Sequence, residues 1–172
     1  MFEIKYKLFV DEYDSNAGIK GTEGYFSLII DNEQYGDYLD EEVDDFLVSV
    51  YWSFVYLIEA ASTLKNNSTV YISDIETPKT WLEIKKSSDN SMLYFSEIEA
   101  QKQEGMRAVE PKMNGDIYYT DDELKNKNVT TKAFLDELLG KSRKYLEDLK
   151  VLNDGENHKY IYELKKLLSS LV

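Results

Sequence analysis

Phe46-Leu47-Val48-Ser49-Val50-Tyr51-Trp52-Ser53-Phe54-Val55-Tyr56-Leu57-Ile58 is the one apolar run in the chain worth testing as a membrane span, and Asp45 and Glu59 bound it. As a helix it rises roughly 20 Å, against a hydrocarbon core of about 30 Å, so it predicts a buried helix rather than a span. Working outward, Asp40 reads as the helix start, and Val43, Phe46, Leu47, Val50, Phe54, Leu57, Ile58, Ala61 and Leu64 recur at helical spacing up to Asn66-Asn67. The other side carries Val48, Tyr51, Trp52, Val55 and Tyr56, so the helix needs cover twice over. A sheet on one side and C-terminal helices on the other would supply it. The alternative leaves part of the Tyr/Trp face open for a partner.

On the N-terminal side, Phe2, Ile4, Tyr6, Leu8 and Val10 alternate with Glu3, Lys5 and Lys7, the period of a strand with one buried face. A second strand over residues 25–30 follows a glycine-containing connection, residues 16–24, so the two are expected to pair antiparallel. On the C-terminal side, residues 69–73, 80–85 and 92–97 read as an antiparallel meander with turns at 74–78 and 87–90. Asn114-Gly115 suits a tight hairpin turn between residues 106–109 and 117–119, with Pro111 placing the first of these at an edge or in a loop. Leucines and aromatics recur at helical spacing from Phe134 to Leu152 and from Tyr160 to Leu171, separated by Asp154-Gly155, which predicts a helical pair. The expectation is a single α+β domain over 1–172: an antiparallel sheet of about five to seven strands packed on a long central helix, with a C-terminal helical pair.

The composition narrows the chemistry. With 172 residues, 42% of them hydrophobic, and 14 Tyr, 7 Phe and 2 Trp, the chain can build a core without disulfides or a metal. It has no cysteine and one histidine, which removes thiolate chemistry, Cys-based metal centres and His-rich sites. The N-terminus lacks the basic and apolar regions of a secretory signal, so a cytoplasmic location is expected. The stretch Gly18-Ile19-Lys20-Gly21-Thr22-Glu23-Gly24 leads into a strand and lacks a Gly-Lys-Ser/Thr ending, so it reads as a hairpin loop rather than a phosphate cradle. Asp14-Ser15-Asn16-Ala17-Gly18 departs from a calcium loop, with Tyr25 where the bidentate Glu belongs. His158 follows a turn with no nucleophile motif beside it and is expected to be exposed. No enzymatic activity and no cofactor are expected.

Charge is the most uneven property. The formal net charge is −13, and residues 1–60 hold 14 acids against 3 bases, whereas residues 61–172 hold 19 against 17. Asp11-Glu12-Tyr13-Asp14 and Asp37-Tyr38-Leu39-Asp40-Glu41-Glu42-Val43-Asp44-Asp45 are the densest runs. Folded close together, they repel nucleic acid and draw in a basic surface. The plainer reading makes Asp40, Glu41 and Glu42 an N-cap and first helical turn, where carboxylates favour the helix dipole. Tyrosines in and beside this third, including Tyr35 and Tyr38, combine apolar area with a polar tip, as interface residues do.

A Cys-free, acidic, Tyr-rich α+β chain with the Asp37–Asp45 run, the aromatic helix Tyr51–Glu59 and the strand Phe26–Ile30 resembles, as a class, the immunity proteins of bacterial polymorphic-toxin and contact-dependent inhibition systems. That resemblance implies a stoichiometric inhibitor that docks an acidic surface on a basic toxin, often a nuclease. The expected contact residues are Asp37, Tyr38, Asp40, Glu41, Glu42, Asp44 and Asp45, with Tyr35, Asp11, Glu12 and Asp14 as additions. The expected partner is a basic protein, a candidate toxin, with no nucleic acid and no membrane. The rival readings are a small hydrolase or a metal- or sugar-binding protein using clustered carboxylates, and a phage inhibitor that mimics nucleic acid.

Overall fold

The computed structural model describes residues 1–10, 18–120, 123–155 and 157–172, and the backbone of 13–14. The N-terminal alternation forms β1 (Phe2–Leu8), which pairs antiparallel with β4 (Glu23–Ile30) from Phe2↔Ile30 to Leu8↔Gly24. Between them β2 (Tyr13–Asp14) and β3 (Ile19–Lys20) make a small separate ribbon. The strand stops short of Val10, which is 49% exposed, while Phe9 is buried edge-on against Tyr25 at 4.9 Å. After β4 the chain reverses through Asp31 and Asn32, at φ 50° and 72°, a two-residue turn with both central residues left-handed, and returns as β5 (Glu33–Tyr35). β6 (Val48–Ser49) adds to the same edge of β4, opposite Gly24 and Glu23.

The central helix α1 runs Val50–Thr63. It does not begin at Asp40: Ser49 is the N-cap, its hydroxyl accepting from the Trp52 amide at 3.3 Å. Residues 40–47 are instead irregular apart from one 3₁₀ turn at Asp44–Phe46. The residues drawn into the helical stripe at its start therefore lie elsewhere, Val43 half-buried and Phe46 41% exposed. Two capping candidates compete in this stretch. Pairing of Val48–Ser49 with β4 fixes the later one, because a helix started at Asp40 would forfeit that ladder.

The meander forms β7 (Thr69–Ser73), β8 (Thr80–Lys86) and β9 (Met92–Glu99). The hairpin expected around Asn114-Gly115 does not form. Its two arms go to opposite edges of this second sheet, β10 (Val109–Glu110) to β7 and β11 (Tyr118–Tyr119) to β9. The connecting segment crosses the sheet's outer face, where Met106, Met113 and Ile117 pack with Tyr71, Trp81 and Ile98. Covering that apolar face removes more surface from water than a local two-stranded pairing would. β10 is an edge strand and ends before Pro111, which cannot donate to a ladder. A further strand, β12 (Lys127–Thr130), pairs with β9 and runs straight into α2 (Thr131–Leu152); α3 (Lys159–Leu171) follows.

The result is α+β, with antiparallel strands divided between two sheets, α1, and the C-terminal helical pair. The inner faces of both sheets and all three helices meet in one core. Phe54 of α1 stacks on Tyr145 of α2 at 4.7 Å and meets Tyr6 and Phe26 edge-on. α3 covers the second side of α1, with the Tyr51 hydroxyl donating to the Tyr160 carbonyl at 3.1 Å, while Trp52 keeps 40% exposure. The outer edge of β1 is closed by a side chain: the Ile4 amide donates to Glu137 of α2 at 2.9 Å. Among the described residues no helix is long and apolar enough to cross a membrane.

Candidate functional site

The acidic run is a strap laid over the outer face of the first sheet. Tyr25 holds it there. Strand alternation points Phe26 and Leu28 into the core and Tyr25 the other way, and the buried Tyr25 hydroxyl donates to the Glu41 carbonyl and accepts from the Val43 amide, each at 2.6 Å. Tyr38 lies tilted against the same ring, centroids 6.0 Å apart. Tyr38, Leu39 and Val43 are half-buried, whereas Asp37, Asp40, Glu41, Glu42, Asp44 and Asp45 are all exposed. Lys7 approaches Glu42 at 3.5 Å and is the one cation ion-paired to the strap among the described residues. That pair is exposed and contributes little. The strap is thus attached through main-chain atoms, leaving six carboxylates facing solvent within nine residues.

Next to Asp45 stands Phe46, an exposed aromatic whose helical spacing with Val50 and Phe54 predicts a core position instead. The signal that separates the two placements is Ser49, a second N-cap three residues on. Tyr35 lies apart from the strap surface, on β5, half-buried, with its hydroxyl donating to Asp74 at 3.0 Å. Burial raises its pKa well above the ordinary tyrosine value, and the negative charges of Asp74 and Glu97 raise it further. Asp37 sits where strap and β5 meet. Asp14 belongs to β2, and Asp11 and Glu12 lie outside the described residues.

His158, expected to be exposed, is half-buried and caps α3: its Nδ1 accepts from the Tyr160 amide at 3.2 Å, and its ring stacks on Tyr160 at 5.6 Å. Among the described residues no group of three or more His, Asp or Glu side chains is arranged to hold a metal ion. Comparison of the chain with protein-family models, with curated proteins and with solved structures finds no match. The strap combines a tethered main chain, one sign of charge and an exposed aromatic at its end.

Proposed function

We propose that this chain is a stoichiometric binding protein for a basic protein, acting as an immunity protein does when it docks on a toxin and blocks it, in the cytoplasm and without catalysis. The observation that carries the reading is the strap, in which six solvent-facing carboxylates are held on a main chain tethered to Tyr25 and end at exposed Phe46. Carboxylates of one sign in a compact patch steer a cationic partner and speed its encounter. They also repel phosphate backbones. Phe46 and the half-buried Tyr38 supply the apolar contact that sets the lifetime of a complex, the usual division of labour between rim charge and aromatic anchor. A strap fixed before binding has little conformational entropy left to lose.

The test is capture from lysate of the native host by the wild-type chain and by the combined D37K/D40K/E41K/E42K variant, at low and at high salt, with bound protein identified by mass spectrometry. The expected result is one basic protein, recovered in stoichiometric amount by the wild type at low salt, released by salt and lost with the variant. Equal recovery by the variant would take the strap out of the mechanism.

A further inference from the structure

A cleft of about 510 Å³ opens between the two sheets, bounded by β4 and β5 on one side, β7 and β8 on the other, and α1. Its volume lies in the range of roughly 300–1,000 Å³ that suits a small ligand. Phe26, Leu28 and Leu57 supply the apolar part of its lining, and Gln34, Ser53 and Thr80 a polar part. Among the described residues the charges are all of one sign: Asp37, Asp74, Glu76 and Glu97 line it, and no Lys, Arg or His does.

Asp74 is fixed in orientation. Its Oδ1 accepts from the Glu76 and Thr77 amides at 2.8 and 2.9 Å, which shapes the β7–β8 turn, and its Oδ2 accepts from the Tyr35 hydroxyl at 3.0 Å. A carboxylate has about four lone-pair positions, so Asp74 can take a further donor without giving up these three. Glu97 enters from β9, one oxygen accepting from the Thr120 hydroxyl at 3.3 Å. Burial first, and then the charges of Asp74 and Glu97, raise the pKa of the Tyr35 hydroxyl, which stays a neutral donor to Asp74. Shaping a turn accounts for Asp74 but not for a space of this size whose charged lining, among the described residues, is acidic throughout. An anion is repelled there, and the described residues offer no three-ligand set for a metal ion. A delocalised or compact organic cation is attracted by the carboxylates, and a hydrocarbon stem suits the apolar part of the walls.

We propose that this cleft binds an organic cation, a guanidinium or primary ammonium carried on an apolar stem, with Asp74 and Glu97 as its counter-ions and Phe26 and Leu28 against the stem. The site does not depend on the strap's proposed role, with which it shares Asp37 alone. Either can fail without the other.

The experiment is an NMR titration of the wild-type chain with agmatine, with N-acetyl-arginine methylamide and with the neutral citrulline counterpart of the latter. Saturable shifts at residues around Tyr35, Ile72 and Asp74 are expected from the cations. The citrulline compound should bind at least about tenfold more weakly, as loss of one charge-assisted hydrogen bond requires. Preference for agmatine would identify a free small cation as the source, and preference for the blocked arginine a side chain of a protein. Asp74→Asn keeps the acceptor oxygen for the turn amides, removes the charge and takes the acceptor from the Tyr35 hydroxyl, so affinity should fall by a similar factor with a modestly lowered melting temperature. If that variant does not fold, the wild-type comparison of cation with neutral analogue decides alone. Equal binding of the citrulline compound, shifts confined to residues 40–45, or no saturable shift at millimolar concentration would overturn the proposal.

Discussion

Tyr25 occupies a position where one hydroxyl holds the main chain of the strap at two points. Its two hydrogen bonds reach the main chain of the strap, and its ring supports Phe9 and Tyr38. Tyr25→Phe keeps the ring and removes the hydroxyl, so it should cost about 1–2 kcal/mol in urea unfolding and make the Val43 amide exchange faster, while β4 amides stay protected. Asp89 is a second residue whose surroundings set its chemistry. The Ser87 hydroxyl, then the Ser91 amide and hydroxyl, donate to its carboxylate and hold its pKa down at about 2, although the side chain is open to water. A depressed folded-state pKa means that the turn's contribution is complete above the ordinary carboxylate value and disappears as pH falls through about 2. Side-chain NMR should therefore place the Asp89 midpoint near 2. In Ser87→Ala it should move up toward the normal Asp range.

At the scale of elements, the start of α1 is the most instructive case. Asp40 and Ser49 are both acceptable N-caps, and the acids after Asp40 imitate a favourable first turn. The ladder formed by β6 selects Ser49. Ser49→Ala should accordingly lower stability by about 0.5–2 kcal/mol, and Asp40→Ala should stay within about 0.5 kcal/mol of wild type. Chemical denaturation of both variants tells the two caps apart. The same competition explains what the sequence could and could not disclose. β1 was legible from its two-residue period, β4 and the β7–β9 meander from strand-like runs set between local turn residues, and α2 and α3 from their long apolar stripes. β5, β6, β10 and β11 are two or three residues each and exist through their partners, so no periodicity announces them. The Asn114-Gly115 signal was real locally, with Gly115 at φ 101°, but long-range burial of Trp81 directed the flanking segments to different edges. Within the candidate site, the acidic run could be read directly. Its attachment to Tyr25 and the exposure of Phe46 could not, since both depend on where the helix begins.

For the whole molecule, Phe54 is the point at which a helix, a sheet and the C-terminal pair meet. It is fully buried, with aromatic rings from β1, β4 and α2 around it. Phe54→Ala should remove about 3–5 kcal/mol and lower the melting temperature, read by circular dichroism. Charge has the opposite distribution. The concentrated acids lie on a strap outside this core, so the force that folds the chain and the field it presents to other molecules come from different residues. That separation has a consequence for change over time. The strap is attached by a carbonyl and an amide that every non-proline residue supplies, so its exposed positions 37, 40, 41, 42, 44 and 45 carry almost no folding information. A chain with those six positions replaced by neutral or basic residues, Tyr25 retained, is expected to give the wild-type circular dichroism spectrum and to unfold within about 1 kcal/mol of it. Surface charge here can drift while architecture stands still: the surface is a page that can be rewritten without rebinding the book.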